Sequence, residues 1–302
     1  MKLTIPRTLS GDRSLVLHDL PVELAHAGQG NWRAFRAIGL DPGALLEIAR
    51  SWAAELQGVT LPWLCWNVDD DWCLVQQKLV SEIGWTPVIG FDPRAGAPRK
   101  RVPGAVVVDF NKALGLPVLY PHFPLEFAFL FTERIAFWHS DLLIWPEKMQ
   151  RLGALFRELP DGQTAAVWMS PGRRHLLSRR KRFWELVGCT TRAASRDQFE
   201  QGCGWWMSFW AHPNMRRGAS ARRWYYWDHG GGIYYWKTRA GRTVVALDGR
   251  DYQEGHFTKI GNPAYQRFRE AGSTDARRSM SAEIRQNFDL EAACRSLGLP
   301  GP

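Results

Sequence analysis

An imidazole and a carboxylate stand two residues apart in Phe137-Trp138-His139-Ser140-Asp141, where an apolar run, Ile135 to Trp138, gives way to polar residues. The run reads as a buried β-strand. In extended backbone, residues i and i+2 point to the same side, so His139 and Asp141 could face one ligand together. Groups of this kind bind divalent metals and diphosphates. The plainer reading of the segment is a strand followed by an Asp-containing turn. A second imidazole, His256, lies far along the chain in Gly255-His256-Phe257-Thr258-Lys259.

The rest of the sequence bounds what such a site could serve. The chain has 302 residues, 45% hydrophobic and 23% charged, ordinary values for a globular α/β protein. Its 16 Trp and net charge of +9 are not ordinary. Exposed Trp faces stack on sugars or bases, and the charge suits phosphate-bearing partners, nucleic acid or an anionic membrane. The five cysteines are odd in number and form no C-x-x-C pair, which predicts mostly buried free thiols in a reducing compartment. The start, Met1 to Pro6, lacks the apolar core of a signal peptide, and no apolar run is long enough to span a bilayer. These features predict a cytoplasmic protein, loosely membrane-attached at most.

Elements that could position the site follow from periodicity. Residues 1–60 read as a mainly helical extension, with apolar Leu45, Ile48, Trp52 and Leu56 at helical spacing after Asp41-Pro42-Gly43. Leu61 to Val68 predicts a strand, Trp72 to Ile83 a helix ended by Gly84, and Trp85 to Phe91 a second strand. This is a βαβ unit, most simply parallel and right-handed. Asp69-Asp70-Asp71 at the helix start reads as capping by at least two of the three rather than as a metal triad. Ligands of such sheets bind beyond the carboxyl ends of the strands, which points to Asn67 and Asp92. Residues 94–103 form a basic Gly/Pro-containing loop, followed by strand-like 105–109 and a segment with Lys112. Pro146 to Leu159 predicts a helix and Thr164 to Met169 a strand. Segment 173–182 is the densest basic patch, for which an anionic membrane surface is a candidate partner. Gly202, Gly204, Trp205 and Trp206 combine close backbone approach with aromatic faces, Trp205 and Trp206 pointing to opposite sides if the segment is a strand. Trp224 to Trp236, with Asp228-His229-Gly230-Gly231-Gly232 in its middle, reads as an aromatic hairpin. There is neither a Gly-x-Gly-x-x-Gly nor a Walker phosphate loop, which weighs against a dinucleotide fold.

In four places the chain resembles glycosyltransferases with the A-type fold, glycogenin-like members included. These are the βαβ start at 61–92, the strand ending in Phe137-Trp138-His139-Ser140-Asp141 in place of an Asp-x-Asp motif, the glycine-containing Gln201-Gly202-Cys203-Gly204, and His256-Phe257-Thr258 near the C-terminus. It departs from the family at His139, where Asp-x-Asp has its first Asp, and at Lys259, where a glycine follows His-Phe-Thr. The resemblance implies a mixed, mostly parallel central sheet flanked by helices, like that of nucleotide-diphospho-sugar transferases, over 61–268, with a helical tail over 269–302. It implies transfer of a sugar from a nucleotide diphosphate to a hydroxyl of a glycan, lipid-linked or small-molecule acceptor. Asn67, Asp92, Lys112, His139, Asp141 and Lys259 would contact the donor. Gly202, Gly204, Trp205 and Trp206 would contact the acceptor. Glu200, Asp197 or Asp228 would act as base. Asp141, His256 and His139 would hold a divalent ion, manganese or magnesium.

Two other classes fit parts of the sequence. A non-catalytic carbohydrate- or nucleotide-binding protein on the same fold is consistent with His139 in place of Asp. A nucleic-acid-binding protein would explain the charge and aromatics, but alternating strands and helices over 61–170 argue against an oligonucleotide-binding barrel.

Overall fold

The computed structural model describes residues 8–9, 12–16, 42–93, 95–115, 119, 121–168, 183–200, 204–205, 230–252, 254–257 and 290–302. Nine strands are described: β1 Thr8–Leu9, β2 Asp12–Val16, β3 Pro62–Asn67, β4 Thr86–Phe91, β5 Val106–Val107, β6 Arg134–Trp138, β7 Thr164–Trp168, β8 Phe183–Thr191 and β9 Val244–Asp248. The described helices are α1 Pro42–Glu55, α2 Asp70–Glu82, α3 His122–Ala128, α4 Pro146–Arg157, α5 Arg192–Glu200, α6 Gly231–Arg239 and α7 Leu290–Ser296. The chain is an α/β protein with a seven-stranded, mixed, mostly parallel sheet flanked by helices. Among the described residues no helix is long and apolar enough to cross a membrane.

The chain divides into two compact units. One comprises residues 58–121, 136–158 and 250–302, the other residues 1–57, 122–135 and 159–249. In the first, the strand order is β5-β4-β3-β6, all parallel: Leu64 pairs with Val88 on one side and Phe137 on the other, and Ile89 pairs with Val107. This is the βαβ arrangement expected of 61–91. All six residues of β3 are buried, as a parallel strand covered on both faces requires. Its indoles are large, and the sheet makes room for them. A side chain at Gly90 would strike the Trp66 ring and Phe110, so only glycine fits opposite Trp66. Trp63 packs edge-on to Trp85 at 5.3 Å and to Trp138 at 5.4 Å.

The helix after β3 starts where the acidic run caps it. Oδ1 of Asp69 accepts from the backbone N–H groups of Asp71 and Trp72, both at 3.1 Å. Asp70 and Asp71 pair instead with Arg99 and Lys100 of the basic loop. All three aspartates are thus committed to structure, and no metal triad forms there.

In the second unit, β7 pairs antiparallel with β8, Ala165 opposite Cys189, and parallel with β9, Ala165 opposite Val245. Residues 1–60 carry, besides α1, a short antiparallel pair, with Leu9 opposite Asp12. In sequence a Ser10-Gly11 turn signal stands between its strands.

The second half of the expected aromatic hairpin is a helix. Gly230 takes a left-handed φ of 78° against the Phe183 carbonyl and starts α6. Ile233 and Trp236 are buried while Lys237 and Thr238 are exposed. That three-residue repeat of buried side chains is helical, and the run of aromatics concealed it. Residues 224–229, with Asp228, lie outside the described residues. So do the basic segment 173–182, Gly202, Trp206, Lys259 and most of the C-terminal segment.

Most of the described tryptophans are core. Trp52, Trp63, Trp66, Trp72, Trp205 and Trp236 are each no more than 1% exposed and present no face to a sugar. Four cysteines, Cys65, Cys73, Cys189 and Cys294, are buried free thiols. Burial raises the thiol pKa of each, that of Cys73 to about 12.

Candidate metal centre

Strand β6 stops at Trp138, and the chain turns at once: the N–H of Leu142 donates to the carbonyl of His139 at 3.2 Å. His139 and Asp141 therefore converge because a turn folds them together, and not because extended backbone aligns them. Nδ1 of His139 lies 3.6 Å from Oδ1 of Asp141. The turn is held from below by α2. Nε2 of the fully buried Gln76 donates to the carbonyls of both His139 and Leu142, at 2.9 Å each.

The third member arrives by strand-like pairing. Leu142 and His256 form an antiparallel bridge. The N–H of Leu143 donates to the Gly255 carbonyl and that of Phe257 to the Asp141 carbonyl, both at 2.9 Å. Gly255 makes this approach possible, since a Cβ there would collide with the Leu143 carbonyl oxygen. Trp72 of α2 meets the Phe257 ring edge-on at 5.6 Å, so one helix supports both halves of the site. Nε2 of His256 stands 3.3 Å from the same Oδ1 of Asp141.

The three side chains are 28%, 13% and 14% exposed for His139, Asp141 and His256, a recessed but open cluster. Burial of Asp141 acts to raise its pKa. The two neighbouring imidazoles, His139 and His256, outweigh that and hold the carboxyl well below the usual carboxylate range. Asp141 is thus an anion positioned between two imidazoles.

One ligand atom from each residue can be chosen so that all three lie within 4.8 Å of one another. Metal–nitrogen and metal–oxygen bonds of about 2.1 Å at tetrahedral angles place neighbouring ligands about 3.4 Å apart. The separations of 3.3 and 3.6 Å match that spacing for the two pairs that include Asp141, and the three residues form a group that could hold a metal ion. Two imidazoles and one carboxylate suit manganese, iron, cobalt or zinc better than magnesium or calcium, which take oxygen ligands.

The other residues expected at a site fall elsewhere. Asn67 is buried at the end of β3, and its Nδ2 donates to Asp70 and to the Gly96 carbonyl, at 3.3 Å each. Asp92, fully buried after β4, accepts from the N–H of Leu119 at 3.0 Å. Both sit at the carboxyl edge as expected, but they bind the protein's own loops. Lys112 is exposed on a turn. In the other compact unit, Asp197 is held by Arg242 in a two-pronged pair at 2.8 and 2.9 Å and by the Trp236 indole at 2.6 Å. A carboxylate so engaged is a structural anchor rather than a free base. Glu200 ends α5. Trp205 is not in a strand; it is buried, and its N–H donates to Glu126 at 3.1 Å. A Cβ at Gly204 would collide with that same carboxylate. Gly204 and Trp205 thus serve packing.

Gln76 and Gly255 carry the geometry of the cluster without having stood out in the sequence. A buried glutamine amid Trp72, Cys73, Val75, Leu79 and Val80 is the only sequence signal for the first. Comparison with known protein families, curated proteins and solved structures finds no match to this chain.

Proposed function

We propose that this chain is a metal-assisted transferase that moves a sugar from a nucleotide diphosphate to a hydroxyl, its ion held by His139, Asp141 and His256. The observation that carries the reading is the convergence of these three side chains, from distant parts of the sequence, just beyond the carboxyl end of a parallel strand, where ligands of open α/β sheets bind. A bound divalent ion would supply positive charge to the departing diphosphate. The protein's own contribution is to keep Asp141 ionised, to fix both imidazoles around it, and to recess the cluster so that solvent screens it little. The donor set narrows the expected ion from manganese or magnesium to manganese or a neighbouring transition metal. A non-catalytic carbohydrate- or nucleotide-binding protein is the second reading, favoured by His139 standing where Asp-x-Asp has its first Asp.

Calorimetric titration with manganese, zinc and magnesium, alone and with a panel of nucleoside diphosphates, tests the metal and the donor. Hydrolysis of nucleotide sugars separates the two readings. Asp141→Ala should abolish metal-dependent hydrolysis with the fold intact, and His256→Ala should weaken metal and donor binding. Full activity of purified Asp141→Ala would remove this cluster from the function.

A further inference from the structure

We infer that Gln76 is a positioning residue for the metal cluster, an inference that rests on the metal-centre reading above. Its two amide hydrogens are both used, on the carbonyls of His139 and Leu142 at 2.9 Å each. These two residues bracket Asp141, and they are also joined by the turn hydrogen bond between Leu142 N–H and the His139 carbonyl. A single side chain on α2 thus fixes the exit of β6 and the residue that pairs with His256.

The orientation of the amide is determined by chemistry. A glutamine oxygen in place of Nε2 would face two carbonyl oxygens, acceptor against acceptor. With nitrogen toward the turn, Oε1 is left buried and has no hydrogen-bond partner among the described residues. An unsatisfied buried acceptor is costly. An apolar residue of similar size would spare that oxygen but would leave the Leu142 carbonyl without the amide and the His139 carbonyl with the Leu142 N–H alone, loosening the turn. The adjacent Gln77 provides an internal contrast. It is equally buried, on the same helix, and its amide holds the basic loop instead: Nε2 donates to the Lys100 carbonyl at 3.3 Å and Oε1 accepts from Val102 N–H at 3.0 Å. Two neighbouring glutamines of matched burial therefore clamp two different loops, and only one of those loops carries the cluster.

The test pairs Gln76→Met with Gln77→Met in the full chain and reads two quantities. The first is native-state amide hydrogen exchange at Leu143 and Phe257, whose N–H groups close the two sides of the site, measured without metal. The second is the affinity for manganese, cobalt and zinc. Gln76→Met should speed exchange at Leu143 and Phe257 at least about tenfold relative to Gln77→Met, and weaken metal binding about 10–100-fold, the usual effect of losing an outer-shell partner. Gln77→Met should speed exchange at Val102 and leave metal affinity as it is. If Gln76→Met does not fold, Gln76→Glu serves, because its protonated acid keeps the shape but offers one donor for two carbonyls. Equal exchange at Leu143 and Phe257 in the two variants would overturn the positioning role. A wild-type protein that binds none of the three ions would overturn the metal reading, while the exchange contrast would still establish the clamp.

Discussion

Gly255→Ala is the sharpest test of how the centre is assembled. The added methyl would sit on the Leu143 carbonyl oxygen, far inside any permitted contact. Carbon and oxygen need more than about 3 Å, so the two segments must separate by roughly 1 Å or more. The hydrogen bonds from Leu143 N–H to the Gly255 carbonyl and from Phe257 N–H to the Asp141 carbonyl, now 2.9 Å each, would stretch beyond useful range. At about 1 kcal/mol apiece, their loss predicts about 2 kcal/mol of destabilisation. His256, 3.3 Å from Asp141, moves with the segment, and a displacement of that size should lower metal affinity about 10–100-fold, or about 1.4–2.8 kcal/mol. Urea unfolding gives the first quantity and calorimetric titration with manganese or zinc the second. Gly301→Ala is the control, since a Cβ there meets nothing within 4 Å. A Gly255→Ala protein with the stability and metal affinity of the wild type would refute the reasoning, because the approach of the two segments would then not depend on the missing side chain.

Four further outcomes are expected. Because Asp141 titrates lower in the folded than in the unfolded chain, its stabilisation is complete above the unfolded value near pH 4 and is lost as pH falls towards the folded value; Asp141→Asn should flatten this acid limb in urea melts taken across pH. Asp70, lowered against the pull of its own partial burial by hydrogen bonds from Arg99 and Asn67, adds to the same limb, and added salt should weaken that share because Arg99 is exposed. Cys65, Cys73 and Cys189 should resist alkylation at about pH 8 until the protein unfolds, as mass spectrometry of iodoacetamide-treated native protein would show; rapid native labelling would contradict their burial. Asp197→Ala should cost about 1–2 kcal/mol by removing the partner of Arg242 and Trp236, and should leave metal affinity unchanged in calorimetry.

Local pattern carried much of the fold. Apolar runs bounded by turn residues placed β3, β4, β6 and β7, and the acidic run before Trp72 announced the start of α2, because strand burial and helix capping are decided within a few residues. The same logic failed at 231–239, where consecutive aromatics satisfy either period and only the packing of Ile233 and Trp236 selects a helix. It failed again for Trp205 and Asp197, whose types suit a ligand but whose partners, Glu126 and Arg242, lie far away in sequence.

The site divides in the same way. Sequence alone supplied the chemistry: an imidazole and a carboxylate at a strand end, and a second imidazole near the far end of the chain, set out their ligand character as residue types. Whether they meet was decided only by the tertiary structure, through a turn that brings His139 to Asp141, a glycine that lets His256 approach, and a buried amide that holds the turn. The reason is physical: a side chain's chemistry is intrinsic, but its distance from another 115 positions away is set by backbone hydrogen bonds and close contacts that no local pattern encodes.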